Sequence, residues 1–205
     1  MKLYDSIGPN PRVVKMFMAE KGIDLPRETV DLMKGENRQP AHLARNPAGQ
    51  TPALEMDNGD IVAEILVICE YLEEKYPTPV LIGATPEERA TTRMWTRRLD
   101  LNLVEPLTNG FRFGEGLGLF KERVRCIPQA SDELKATAQD WLTKLDGWLA
   151  GRDYIAGDKV TLADIHLFVF LDFGQQVGQP LNPANKNVTA WFERMKARPS
   201  AAASA

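Results

Sequence analysis

A chain of 205 residues, 43% hydrophobic and 26% charged, can bury roughly 70% of the surface its extended form exposes, so a core forms without disulfide or metal staples. Its 25 Lys and Arg against 28 Asp and Glu, net −3, are interspersed in both signs, which argues against a nucleic-acid footprint or a polybasic membrane surface. Two cysteines and two histidines leave zinc and disulfide frameworks short of ligands, and neither an apolar run of about 20 residues nor a signal-peptide pattern occurs, so the expectation is a cytoplasmic protein with no bound metal.

Residues 1–4 predict a strand, and Gly8, Pro9 and Pro11 a turn. Asn10 suits an N-cap and Pro11 the first helical position. The helix they launch pairs Val13 with Phe17 and Val14 with Met18 and closes at Lys21 and Gly22. Thr29 to Leu32 predicts a second strand. Residues 34–49 form a polar, irregular stretch with one helical turn near 40–43 and His42 on its surface. Pro52 opens a third strand over 53–56, where a missing N–H costs no ladder bond. Asn58 and Gly59 make a two-residue hairpin, returning a fourth strand over 60–62. From Glu64 the period becomes helical, with Ile65, Leu66, Ile68, Cys69 and Leu72 on one face.

Pro77, Thr78 and Pro79 open a connector, and strand signals stop after Pro86. The predicted organisation is a domain over 1–77, a linker over 78–86 and an all-helical domain over 87–205. In that second domain a helix covers 86–104, limited by Pro106, and glycines 114, 116 and 118 loosen 111–120. Leu134, Ala138, Trp141, Leu145 and Trp148 form a one-sided helical stripe. Thr161 and Asp164 resemble a capping box ahead of an apolar run, 162–173, that belongs in the centre of a bundle and carries His166 as a core histidine. Val188, Trp191, Phe192 and Met195 mark a final helix, and 200–205 a tail.

These residues resemble a cytosolic glutathione transferase over nearly the whole length. The matching stretches are the opening Lys2 to Ser6, the helix end Ala19 to Gly22, the loop NPAGQTPAL from Asn46 to Leu54, and the hairpin followed by Glu64 and ICEYLEE from Ile68 to Glu74. DYIAGDKVTLADI from Asp153 to Ile165 extends the match into the second domain. The resemblance implies an α/β plus all-α fold: a thioredoxin-like domain with a mixed four-stranded sheet in βαβ-ββα order that binds glutathione, then a C-terminal helical bundle. It also implies a homodimer, with glutathione as co-substrate and a small hydrophobic electrophile as its partner.

Glutathione must present a thiolate at neutral pH, so its site needs a hydrogen-bond donor aimed at sulfur and a positive local field. The first helix offers both through Ser6 and Asn10, whereas Pro9 and Pro11 remove backbone donors. Glycine at position 8 departs from the hydroxyl or thiol residue frequent in the family. The Gly8, Pro9, Asn10 run lies nearest the Nu-type bacterial members, with asparagine retained. By resemblance, Thr51 and a cis-bonded Pro52 pair with the cysteinyl unit, and Glu64 receives the γ-glutamyl amine. Ile65 stands where a serine is usual and leaves the carboxylate to helix amides. Gln50, Arg38 and Lys34 are candidates for the glycyl end. Asp100 is a candidate to reach across a dimer, and Trp95, Phe111, Arg112 and Phe113 are candidates for the second-substrate pocket. Conjugation is the leading reading. The alternatives are a glutathione-dependent disulfide or peroxide reductase or ether-cleaving enzyme, and a non-catalytic binding module.

Overall fold

Leu3 and Tyr4 point to opposite faces of their strand, β1 (Lys2–Asp5), yet both are buried, so β1 lies inside a sheet covered on both faces. It pairs in parallel with β2 (Arg27–Thr29) and antiparallel with β3 (Ala53–Glu55), which continues antiparallel to β4 (Ile61–Ala63). The order β2-β1-β3-β4 is the mixed four-stranded sheet of a thioredoxin-like fold. All residues from Met1 to Ala205 are described, in a computed structural model. It divides into two units, Met1–Leu81 with Arg198–Ala205, and Ile82–Ala197.

The first unit departs from sequence expectation in its second strand, its first helix and its C-terminal stretch, among other places. The second strand ends at Thr29, not Leu32, because the Asp31 carboxylate accepts from the N–H groups of Met33 and Lys34 at 2.9 and 3.1 Å and turns the chain. The first helix, α1 (Pro9–Lys21), begins two residues early. Gly8 is its N-cap at φ 108°, a conformation closed to most residues, and Pro9 supplies the first helical φ. Asn10 is therefore the second helical residue and caps nothing. The C-terminal stretch, placed by sequence in the helical domain as a tail, forms α10 (Pro199–Ala203) and packs on α1. Arg198 donates through Nε and an Nη to both Glu20 carboxylate oxygens at 2.5 and 2.7 Å, and the Ser200 hydroxyl donates to Glu20 as well. A Ser/Ala run carries no hydrophobic stripe, but its small side chains allow close approach to another helix, and Ser200, Ala201 and Ser204 are buried.

After a one-turn helix α2 (Pro40–Leu43) and the hairpin, α3 (Ile65–Lys75) buries Ile68, Cys69 and Leu72. Burial pushes the Cys69 thiol well above its usual range and leaves it an inert core residue. Lys21 and Glu73 pair at 2.7 Å, and Glu73 also accepts the Leu81 N–H at 2.9 Å, so the end of the first unit is tied to α1 and α3.

The second unit is helical: α4 (Pro86–Leu99), α5 (Glu105–Phe113), α6 (Leu117–Phe120), α7 (Ser131–Trp148), α8 (Leu162–Gln176) and α9 (Lys186–Lys196). Pro106 does not end the helical path. A π-helical segment, Asp100–Val104, joins α4 to α5, with the Glu105 N–H reaching Asp100. This wider turn re-registers the ladder, so that Pro106 falls in the first turn of α5, where its missing N–H is not needed. Every residue from Leu162 to Leu171 is buried, as a helix hydrophobic all round demands. No helix is long and apolar enough to cross a membrane.

Candidate active site

The start of α1 has no side-chain cap and few backbone donors. Its first three helical residues are Pro9, Asn10 and Pro11, so Asn10 holds the only N–H among them, and no side chain caps the helix. The Asn10 amide, half-buried, is bound to nothing else in the chain, and the helix dipole adds a positive field at the same end. Ser6 differs. Its buried hydroxyl lies 2.5 Å from the Thr51 hydroxyl and donates to the Ile7 carbonyl at 3.2 Å, so its one proton is already engaged. The Ser6–Thr51 contact also fixes the end of β1 against the loop that enters β3.

That loop is held from behind. Asn37 donates to the Gly49 carbonyl at 2.6 Å, while His42 Nε2 at 2.9 Å and Asn46 at 3.0 Å both donate to the Gln50 carbonyl. His42 is thus not the surface residue expected from a polar stretch: only 3% of it is exposed, because its ring is needed under the loop. With the Gly49 and Gln50 carbonyls drawn inward, the Thr51–Pro52 bond is cis and the Thr51 main chain is engaged by no other backbone group. It remains free to pair with an extended peptide as an added strand would. Sequence reasoning passed over the three anchors Asn37, His42 and Asn46. Their signal was a cluster of short amides and an imidazole ahead of a proline-opened strand, types that serve to bind carbonyls in a loop.

Pairing of Ala53 with Ala63 places Pro52 opposite Glu64, the residue that starts α3. Glu64 is the only non-glycine residue at positive φ, 67°, a strained conformation kept where its surroundings require it. Its carboxylate is exposed and has no partner in the chain. Ile65 is the first helical residue. The first internal bond of α3 is donated by Ile68 to Glu64, so the amides of residues 65–67 stay open. An open helix start attracts a carboxylate, and the unpaired Glu64 beside it attracts an ammonium group: together they suit the α-amino-acid end of a peptide.

Comparison with known proteins bears on the same segments. Residues 7–75 match the model of the glutathione S-transferase N-terminal domain, and residues 127–199 match that of the glutathione S-transferase C-terminal domain. Glutathione S-transferase 2 of Saccharomyces cerevisiae is 33% identical over 208 residues, spanning 98% of this chain and 87% of the relative.

The chain belongs to the glutathione S-transferase family.

Solved structures of the family agree on the fold. Gtt2 from Saccharomyces cerevisiae superposes with a TM-score of 0.92 at 32% identity over 100% of both chains, and a glutathione S-transferase domain-containing protein from Marinobacter aquaeolei VT8 with 0.92 at 35% over 98% and 99%. LigF from Sphingobium is 31% identical over 98% of this chain and 91% of its own.

The remaining sequence candidates scatter. Lys34 is exposed and pairs with Asp31 at 3.1 Å; Arg38 is exposed on a 3-10 turn, Glu36–Arg38; the Gln50 side chain is exposed although its carbonyl is anchored. Asp100 is half-buried and bound within its own chain, 3.0 Å from Arg97 and 3.5 Å from His166 Nε2. Burial opposes its ionisation, but His166 and Arg97 outweigh it and hold the carboxyl below its usual range. His166 is a core residue as expected, packed edge-on against Phe170, but its Nδ1 finds no partner. The second-substrate candidates do not form one cluster. Phe111 packs edge-on against Phe120 and Phe173 at 6.0 and 5.1 Å, and Arg112 lies 5.8 Å over Phe120, whereas Trp95 packs with Trp148 and Arg98.

Proposed function

We propose that this chain is a glutathione transferase in which Asn10, not Ser6, holds the sulfur anion. The observation that carries the assignment is the contrast in engagement: the Asn10 amide is free at a helix start, while the Ser6 hydroxyl donates its proton to the Ile7 carbonyl and its oxygen meets the Thr51 hydroxyl. Glutathione lies with its cysteinyl main chain along Thr51 and Pro52, its γ-glutamyl carboxylate on the amides that open α3, and its ammonium on Glu64. Ile65 contributes only its backbone N–H, and Gln50, Arg38 and Lys34 are assigned to the glycyl end. The thiol releases its proton to solvent. The Asn10 Nδ2 and the helix field stabilise the thiolate, whose lone pair forms the new S–C bond as the leaving group departs with the bonding pair.

In this reading residues 1–77 form the glutathione domain, 78–86 the linker, and the helices after it supply contacts for a hydrophobic electrophile through Phe111, Arg112 and Phe113. The chain acts as a cytoplasmic homodimer. A second reading, cleavage of an aryl ether by the same thiolate, is favoured by the likeness to LigF, whose solved structure is that of a beta-etherase. Only the leaving group changes, to an aryloxide that departs with the bonding pair.

The test is the pKa of the bound glutathione thiol, read from thiolate absorbance in Asn10→Ala and Ser6→Ala. A hydrogen bond to a charged group contributes about 1.5–3 kcal/mol, so Asn10→Ala raises the thiol pKa by about one to two units, and Ser6→Ala shifts it less. A larger shift in Ser6→Ala reverses the assignment. No calorimetric heat at millimolar glutathione overturns the enzyme and leaves a non-catalytic module.

A further inference from the structure

The buried imidazole of His42, in the one-turn helix α2, serves a single carbonyl. Its Nε2 lies 2.9 Å from the Gln50 carbonyl oxygen, which is an acceptor only, so that nitrogen carries the ring proton. Nδ1 is buried as well and has no partner in the chain. A ring that leaves one nitrogen unpaired in the interior is a poorer packing element than a phenyl ring, so its presence is explained by what Nε2 does.

The same oxygen takes a second donor. Asn46 Nδ2 reaches it at 3.0 Å, and Asn46 Oδ1 accepts the Ala48 N–H at 3.2 Å, which fixes the orientation of the amide. Side chains of one short segment, residues 42–46, therefore fill both lone pairs of the Gln50 carbonyl. Asn37 holds the preceding Gly49 carbonyl at 2.6 Å, where the chain turns through φ 63°. The segment is itself tied to the sheet: the Arg45 guanidinium lies 4.3 Å over the Tyr4 ring and 3.4 Å from Glu28 of β2.

The consequence falls on the next residue. The Gln50 carbonyl and the Thr51 N–H belong to one peptide unit, and that unit is trans, since the cis bonds of the chain are Thr51–Pro52 and Thr78–Pro79. In a trans peptide the carbonyl and the N–H point in opposite directions. Holding the Gln50 oxygen toward His42 and Asn46 turns the Thr51 N–H away from them, and no backbone acceptor in the chain receives it. Thr51 is a buried residue, so a donor held there without a partner is one that a ligand carbonyl completes.

We propose that His42 is a positioning residue for glutathione: together with Asn46 it clamps the Gln50–Thr51 peptide plane, so that the Thr51 N–H meets the cysteinyl carbonyl of the tripeptide. This rests on the glutathione reading above and adds to it the side chain that sets affinity for the ligand's main chain. Without the two donors the peptide plane is free to rotate, and an acceptor then replaces the donor that faces the cysteinyl carbonyl. The sulfur is not affected, because Asn10 and the field of α1 act on it independently.

The test is calorimetry with glutathione, alongside urea unfolding, on the full-length wild-type protein, His42→Phe, His42→Gln and the double variant His42→Phe with Asn46→Ala. Phenylalanine keeps the bulk of the ring and removes the donor, whereas glutamine places an amide N–H near the position of Nε2. His42→Phe raises the Kd about threefold or more and the double variant about tenfold or more, and His42→Gln returns it to within about twofold of wild type. The pKa of the bound thiol at saturating glutathione stays the same in every variant, which separates lost main-chain pairing from lost thiolate stabilisation. In wild type, glutathione moves the Thr51 amide proton downfield in a proton–nitrogen correlation spectrum, and in the double variant it does not. The clamp alone is overturned if wild type and His42→Phe bind glutathione equally, if His42→Gln binds no better than His42→Phe, or if the thiol pKa moves with the Kd. A fall in urea stability at unchanged Kd also overturns it, since His42 then serves only the fold. Absence of glutathione binding to the wild-type protein is a separate result: it overturns the glutathione reading, and the clamp falls with it.

Discussion

Two helix starts of the helical unit, those of α4 and α8, are built differently from those of α1 and α3 in the sheet unit. In the helical unit α8 is sealed: Asp164, fully buried, accepts from the N–H groups of Ile155 and Thr161, the Thr161 hydroxyl and the Trp191 indole N–H, all between 2.8 and 2.9 Å. α4 is sealed by the reciprocal pair Thr85 and Glu88. In the sheet unit neither α1 nor α3 has a side-chain cap. At α4 and α8 side chains close the first turn of N–H groups, whereas at α1 and α3 none does and a ligand can complete it. An uncapped start gives up about 1 kcal/mol, and in the sheet unit two such starts stand beside an unengaged Asn10 and an unpaired Glu64.

The contrast can be broken by removing a seal. Asp164→Ala strands four donors in the core and is expected to cost about 3–4 kcal/mol in urea unfolding; a loss under 1 kcal/mol makes the seal ornamental. Thr85→Ala should cost about 1 kcal/mol. That cap also has a pH signature. The N–H groups of Ala84 and Thr85 hold the Glu88 carboxyl below its usual 4.5, so its contribution is present above pH 4.5 and is lost as pH falls through the depressed value. The penalty of Thr85→Ala should shrink over that range, and a pH-independent penalty removes Glu88 from the cap. The smallest effect sharpens the comparison from the open side. Glu64→Gly relieves a positive φ, so the urea midpoint should rise by about 1 kcal/mol in equivalent stability while the KM for glutathione increases. A fall in both stability and KM shows that Glu64 is held for the fold.

The order of elements was legible because each carries its own period or punctuation: Asn58 and Gly59 for the hairpin, Ile68, Cys69 and Leu72 for α3, Thr161 and Asp164 for α8. Errors fell where a local rule had a non-local competitor. Asn10 has the chemistry of a cap, but Gly8 alone can adopt φ 108° and takes that place. Pro106 reads as a helix end until a π-helical segment shifts the register ahead of it. The terminal Ser/Ala stretch reads as a tail until Glu20, some 180 positions earlier, binds Arg198 and Ser200.

Candidate site residues followed the same division. Thr51, Pro52 and Glu64 are candidates through the family resemblance of a short loop and a helix start. Trp95 and Phe111 are both second-substrate candidates by resemblance, but Trp95 packs edge-on against Trp148 and Phe111 edge-on against Phe173. His42 was placed on the surface because its neighbours are polar, although its ring is needed beneath the Gln50 carbonyl.

Taken alone, the amino-acid order determined most of the strands and helices, the fold class and the family, since these depend on periodicity, turn chemistry and motifs within some ten residues. Tertiary structure decided which polar groups are engaged and which are left over. The Ser6 hydroxyl is engaged because Thr51 lies 2.5 Å away, the Asn10 amide is free because no chain reaches it, and Arg98 lacks a carboxylate because indoles surround it. Each follows from contacts between residues distant in sequence, where the satisfaction of a donor depends on what the fold brings to it.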